Sequence, residues 1–472
     1  FYTLPLKVSS DAIYKRIEEK YAYESAALLH SDSLNSYLKT AADLEDGYKN
    51  YEQAKLFSFP LTVCTVDQLF RFVYKAPGTE IFAATLKYSK IVIDEIQSYS
   101  PRVVAALIYG LAEIRRMGGK FAIITATFPP VLQHFMKKNG LLEDRDYVCH
   151  DFSDAASAVR HRIKILEGEF DILDIQLAAE HKKVLVICNT VSKAQAVYTM
   201  LKQEGAHPGL LHSHFIREHR SILEKNILDF STSANVTGVW VTTQIVEASL
   251  DIDFDLLYTE MCTADSLLQR MGRCNRAGKK GSDQVNVFIS CNLSGRGGVY
   301  DKDIYDRSTK LLKKWDEKSF SETDKAAYIH EVYDIRQIRK TAYFCQIEKY
   351  IRHFQNVNPA DYSKKDAENE FRAIRSITVL PDDIYKQNLP LIDGIKELMK
   401  MPHTGIGIRK AFRDKLAGMT MNLNIQFGIP NGIDKQTLEP FDIHLTRLCY
   451  EFDGTCGMGL VLDKAKDEDN FV

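Results

Sequence analysis

Two series of short apolar runs, each alternating with stretches of helical periodicity, constrain this chain more than any other feature of its sequence. The first series holds LTVCTV (61–66), KIVID (90–94) and FAIIT (121–125), with an amphipathic segment from Pro101 to Met117. The second holds VLVIC (184–188), GLLH (209–212), VWVTT (239–243), DLLYT (255–259) and QVNVFIS (284–290). Helical patterns at 191–204, 217–230 and 263–272 separate those runs. Runs that are apolar throughout and divided by helices belong to parallel sheets covered on both faces. The expected fold class is therefore α/β, with two such units in tandem. The boundary falls in a charged, loosely patterned stretch around 140–165, giving units at 1–150 and 151–295.

Beyond about residue 296 the pattern changes. Residues 300–356 carry long amphipathic helical segments such as KTAYFCQIEKYIRHF, so 296–371 is expected to be a helical linker region. From 372 to 472, short strands and glycine turns mix with one helix near 390–400, as expected of an α+β accessory domain. A chain of 472 residues has room for such a division.

Composition narrows the setting. Nine cysteines are scattered without a CxxC pair, which fits a reduced, cytoplasmic protein. No run of about 18 apolar residues occurs, so no membrane span is expected. The net charge of -2 gives no globally basic surface, although a local basic channel remains compatible with it.

The chemistry concentrates at strand ends, where parallel α/β sheets bind ligands. Asp94 and Glu95 close the run KIVID. There an aspartate can hold Mg2+ against nucleotide phosphates, and a neighbouring glutamate can deprotonate an attacking water. Taken alone, the pair reads equally well as two solvated acids. Thr125 and Thr127, in TAT after FAIIT, suit a link between a nucleotide site and a polymer site, but alone they are also an ordinary hydroxyl turn. The most specific stretch is QRMGRCNR, Gln269 to Arg276. Arg273 and Arg276 stand three apart, one helical turn, and their guanidinium forks match phosphate oxygens. Across a cleft from Asp94 and Glu95 they would act as arginine fingers. Thr242, Thr243 and Gln244 follow VWVTT and can contact phosphodiester oxygens. Asp251 can meet a ribose or help place the fingers.

DEIQ, TAT, TTQIVEASLDIDFD and QRMGRCNRAG, in that order, resemble motifs II, III, V and VI of superfamily 2 helicases. The wording is most similar to the CRISPR-associated helicase of type I interference systems. YTLPLKVSSDAIYKRI looks like its motif Ia and LTVCTVDQLF like its motif Ib. VLVICNTVSKAQAVY and LLHSHF look like the start of its second helicase domain, and CGMGLVLDKAKDEDNFV is similar to its C-terminal domain.

The resemblance implies two RecA-like domains under a C-terminal cap. It also implies ATP-driven 3′-to-5′ movement along the non-target DNA strand displaced by a guide-RNA surveillance complex. Carried over, Asp94 binds Mg2+ and Glu95 is the general base. Gln269, Arg273 and Arg276 meet the phosphates of ATP. Gln97, Thr125 and Thr127 couple hydrolysis to movement, and Thr65, Thr242 and Thr243 lie along single-stranded DNA.

The sequence departs from the family in two ways. Gln97 stands where the family usually has histidine, which implies altered coupling. GxxxxGK[ST], the phosphate loop, does not occur, and the only glycines before Asp94 are Gly47 and Gly78. The expectation is that loop and histidine-aspartate nuclease, with its metals, belong to an earlier part of a larger protein, leaving this chain alone inactive. His150-Asp151 is read as a coincidental HD pair, and His212 and His214 as structural rather than metal ligands. The motor motifs also suit a DExH-type RNA helicase, and the missing loop suits a non-catalytic docking fragment.

Overall fold

The computed structural model describes all residues except 24, 42, 153–158, 282, 373–375, 402–404, 426, 427 and 466–472. Its first sheet has five strands: β1 (Tyr2–Leu4), β2 (Ala26–Leu29), β3 (Leu61–Thr65), β4 (Lys90–Asp94) and β5 (Lys120–Ile124). They run parallel in the order β2-β3-β1-β4-β5. Helices α1 (Lys7–Tyr21), α2 (Leu44–Lys55) and α3 (Pro101–Arg116) belong to this lobe. Pro101 opens α3, where its missing N–H costs nothing, and nearly the whole aliphatic stretch from Val104 to Ile114 is buried. β5 forms one edge of the sheet, and its Ile124 is 50% exposed.

The second sheet contains β6 (His161–Leu166), β7 (Lys183–Ile187), β8 (Gly209–Leu211), β9 (Gly238–Thr242), β10 (Leu256–Glu260), β11 (Val287–Ser290) and β12 (Ser319–Phe320). The order is β12-β6-β11-β10-β7-β9-β8, parallel except for β12 against β6. Every residue of β7 and β10 is buried, which is why these strands read as unbroken apolar runs. α4 (Arg217–Thr232) and α5 (Ala264–Met271) belong to this lobe.

The helices that follow straddle the two lobes. α6 (Glu322–Val332) stays with the second lobe, where Tyr333 just beyond it donates to Asp265 of α5. α7 (Ala342–Asn356) returns to the first. Its Phe354 packs on Tyr74 at 5.2 Å and stacks with Tyr109 at 6.1 Å, and its Phe344 lies 4.7 Å from Phe135.

The last part holds a four-stranded mixed sheet of β13 (Ser376–Pro381), β14 (Met421–Asn424), β15 (Ile433–Thr437) and β16 (Ile443–Thr446), plus the hairpin β17 (Leu448–Glu451) and β18 (Gly459–Ala465). α8 (Ile406–Gly418) of this part touches both lobes. Its Gly407 N–H donates to Glu45 of α2 at 3.2 Å, and its Asp414 pairs with Arg217 of α4 at 2.9 Å. The hairpin seats on the end of β8. Met458 accepts from Gln195 at 2.7 Å and meets His212 Nε2 at 3.1 Å, while the Leu460 N–H donates to the His214 carbonyl at 2.8 Å. Gly459 has φ +63, and a Cβ there would lie 2.7 Å from the His214 carbonyl oxygen, so only glycine fits this approach. The expected α/β class with two parallel sheets, a helical region and a mixed accessory part is what the structure has. Among the described residues no helix is long and apolar enough to cross a membrane.

Candidate functional site

A cleft of about 1770 Å³ lies between the two lobes, at the carboxyl ends of β4 and β5. From the first lobe it receives Asp94, Glu95, Gln97, Thr125 and Thr127, and from the second Asp251, Gln269, Arg273 and Arg276. The apolar strand β5 contributes part of its wall through Phe121, Ala122 and Ile123.

Asp94 ends β4, and the Tyr2 hydroxyl of neighbouring β1 donates to its Oδ2 at 2.9 Å. Glu95 takes the left-handed conformation with φ 52 and ψ 48. For a non-glycine residue this costs roughly 1–2 kcal/mol. The turn is fixed by the Glu95 N–H, which donates to the Ile124 carbonyl at 2.9 Å. Burial pushes both carboxyls above their ordinary values. Asp94 is pulled back in part by the Tyr2 hydroxyl, and Glu95 by Gln97.

Gln97 joins the two strand ends. Its amide nitrogen donates to Glu95 Oε2. Its amide oxygen lies 2.5 Å from the Thr125 hydroxyl, which is equally close to the Thr127 carbonyl. One hydroxyl proton serves one acceptor at a time, so Thr125 can switch between these partners. The Thr127 N–H closes the turn by donating to Thr125 Oγ1 at 3.2 Å.

On the second lobe, α5 ends at Met271, so Arg273 and Arg276 are not on successive helical turns as expected. They share the cleft by a different route. Cys274 bridges to Phe254, and Asn275 turns the chain with φ 45. The Arg273 Nε donates to the Val246 carbonyl at 2.8 Å and its Nη2 to the Glu247 carbonyl at 2.5 Å. Burial, then the nearby Arg276 charge, brings the Arg273 guanidinium down to about 10, and Glu95 attracts it from across the cleft. Arg276 is exposed and pairs with Asp251 at 3.1 Å, as expected of a residue that helps place the arginine.

Arg270, which sequence reasoning passed over, is fully buried at 0% exposure. It donates to Glu247 (2.8 Å), Thr259 (2.8 Å), the Glu260 carbonyl (3.0 Å), Asn189 (2.9 Å) and Tyr300 (2.6 Å). Of the three arginines in one motif, this one is a structural tie. Arg160, Glu322 and Lys325 also line the cleft and were likewise missed, because nothing in their local sequence marks them.

Thr65, Thr242 and Thr243, expected along single-stranded DNA, lie away from this cleft. All three are buried, none lines the cleft, and the Thr242 hydroxyl donates to the Val186 carbonyl of β7 at 3.4 Å. Thr65 ends β3 and Thr242 ends β9, with Thr243 following directly. His150 and Asp151 lie at the cleft. His212 and His214 face the hairpin backbone. Among the described residues no group of three or more His, Cys, Asp or Glu side chains is arranged to hold a metal ion.

Residues 180–279 match the family model described as CRISPR-associated nuclease/helicase Cas3, C-terminal. The CRISPR-associated nuclease/helicase Cas3 of Methanothermobacter thermautotrophicus is 28% identical over 377 residues, covering 72% of this chain and 44% of that protein. The CRISPR-associated endonuclease/helicase Cas3 of Escherichia coli is 26% identical over 331 residues, 59% of this chain and 37% of that protein. The chain thus spans under half the length of these curated relatives. The crystal structure of T. fusca Cas3 with AMPPNP superposes with a TM-score of 0.73 at 19% identity, over 98% of this chain and 65% of that one. A chain of a CRISPR RNA-guided surveillance complex, pre-nicking, superposes at 0.62 and 18% identity, over 97% and 67%.

Proposed function

We propose that the chain is a helicase of the Cas3 kind and the motor part of a CRISPR type I effector, a reading supported by the family model over residues 180–279 and by the similarity to Cas3 proteins over most of the chain. It hydrolyses ATP and moves 3′ to 5′ along the single DNA strand displaced by a guide-RNA surveillance complex. Residues 1–150 and 151–295 form the two RecA-like lobes, 296–371 the helical linker and 372–472 the accessory domain. The observation that carries this reading is the cleft, which places Asp94 and Glu95 opposite Arg273 and Arg276.

The donor set fits a magnesium nucleotide. A strand-end carboxylate is the hard oxygen ligand Mg2+ takes, and an exposed guanidinium with donors to spare suits phosphate oxygens. When bound, Mg2+ neutralises phosphate charge as the terminal bond breaks. Asp94 would hold it, with Tyr2 fixing the carboxylate. Glu95, raised by burial, is suited to accept a proton from the attacking water. Gln269, Arg273 and Arg276 stabilise the charge that builds on the transferred phosphoryl group. Gln97 reports the state of Glu95 to Thr125 and Thr127 through one amide.

The test is ATP hydrolysis by the full-length protein with single-stranded DNA, RNA or neither. DNA is expected to stimulate turnover, and Glu95→Gln to lower kcat at least a hundredfold while ATP still binds. Stimulation by RNA alone would move the assignment to an RNA helicase. Unchanged turnover in Glu95→Gln would remove Glu95 from its role. This segment on its own, with no glycine-lysine phosphate loop in its sequence, is expected to hydrolyse ATP poorly.

A further inference from the structure

The loop carrying Arg273 and Arg276 is gripped from behind by residues for which ATP hydrolysis gives no task. Asn275 is buried in its left-handed turn. Its side-chain amide donates to the Arg160 carbonyl at 2.9 Å and the Gly281 carbonyl at 3.1 Å, and its Oδ1 accepts the Lys280 N–H at 3.0 Å. The loop is thereby tied to the entry of β6.

Two neighbouring side chains then reach the loop backbone. Arg160 Nη1 donates to the Arg276 carbonyl at 3.1 Å. His161 Nε2 lies 2.8 Å from the Cys274 carbonyl. A carbonyl only accepts, so His161 carries its proton on Nε2 and leaves Nδ1 as an acceptor. The Lys325 ammonium donates to that Nδ1 at 2.9 Å. Burial holds the imidazole down to about 3, which keeps it neutral and able to do both.

Both rows begin on α6. Glu322 Oε1 accepts from Lys325 at 2.6 Å and from Arg160 at 2.6 and 3.1 Å. One row therefore runs Glu322–Arg160–Arg276 carbonyl, and the other Lys325–His161–Cys274 carbonyl. His161 and Lys325 are buried, where an incomplete polar network is costly and a complete one is rigid.

We propose that Glu322 and Lys325 are positioning residues for hydrolysis. Through Arg160 and His161 they fix the backbone on which Arg273 and Arg276 turn toward Glu95 and Asp94. They also link that loop to the helical region whose α7 packs on the first lobe. The proposal rests on the reading of those two arginines as phosphate ligands.

The experiment is DNA-stimulated ATP hydrolysis by the full-length protein carrying Glu322→Gln, Lys325→Met, Arg276→Ala, or Glu322→Gln with Arg276→Ala. Each single change is expected to lower kcat at least tenfold with the KM for ATP within threefold. The double variant is expected to be slower than Arg276→Ala by less than the full Glu322→Gln factor, because part of what Glu322 supplies acts through Arg276 and only the part acting through Arg273 remains to be lost. Glu322→Gln within twofold of the unsubstituted protein, beside a crippled Arg276→Ala, overturns the proposal and leaves the arginines their role. A double variant slower by the full Glu322→Gln factor also overturns it, since that pattern belongs to a separate structural defect. An Arg276→Ala that hydrolyses normally overturns the arginine reading and this proposal with it. Thermal unfolding accompanies each variant, and where Lys325→Met fails to fold, the less buried Glu322→Gln decides alone.

Discussion

The Tyr2 hydroxyl crosses from β1 to donate to Asp94 Oδ2 at 2.9 Å, so the first strand of the chain holds the acid that ends the fourth. Hydrogen bonds to charged groups contribute about 1.5–3 kcal/mol. Tyr2→Phe deletes only the hydroxyl. The Mg2+ concentration giving half-maximal ATP hydrolysis is expected to rise roughly tenfold, equivalent to about 1.4 kcal/mol. A magnesium titration of the two proteins measures this directly, and superimposable curves would show that Asp94 needs no such support.

Arg270 and Glu247 form a buried pair, and Arg270 spends its donors on four further groups. Arg270→Met would strand a buried carboxylate and several acceptors. Breaking such a pair costs about 3–5 kcal/mol. Urea denaturation is expected to show a loss of that size, and a loss under 1 kcal/mol would mean that the network is not the tie described here.

Gly459 lets the hairpin approach β8 in a conformation and a space that admit no side chain. Gly459→Ala is expected to lift β17 and β18 from the second lobe while leaving the two sheets folded. Hydrogen exchange would report it as lost protection from about 448 to 462, together with the amides near His214. Unchanged protection there would show that the seat tolerates a methyl group.

Three histidines that their surroundings hold neutral make the fold sensitive to acid. Burial brings His161 and His212 down to about 3 and His214 to about 4. The unfolded chain takes up protons below about pH 6.5, whereas the folded one refuses them, so their contribution is full above that pH and is lost as pH falls. At pH 5 each would cost about 2 kcal/mol, the product of roughly 1.5 pH units and 1.36 kcal/mol. Denaturant midpoints at pH 7 and pH 5 are expected to differ accordingly, and His212→Gln to shrink the difference. Equal midpoints would mean that these side chains are hydrated.

Sequence alone revealed the strands that are apolar along most of their length, because full burial leaves a run such as KVLVI little choice of residue and even the edge strand β5 keeps its aliphatic stretch. It did not reveal β1 and β2. Tyr2–Leu4 is too short to show a period, and Ala26–Leu29 has no β-branched residue. The motif arginines show a second limit. Three occur within seven positions, and which one turns inward depends on where α5 ends, a matter settled by Cys274 pairing with Phe254 far upstream. Lys325 and His161 meet across 164 residues, a separation no local pattern spans.

The return of α7 to α3 has a mechanical consequence. With Phe354 wedged between Tyr74 and Tyr109, the polypeptide crosses from one lobe to the other and comes home. The helical region that α6 anchors on the second lobe is thereby clamped to the first as well, so the lobes are joined by packed side chains and not by a strand of chain alone.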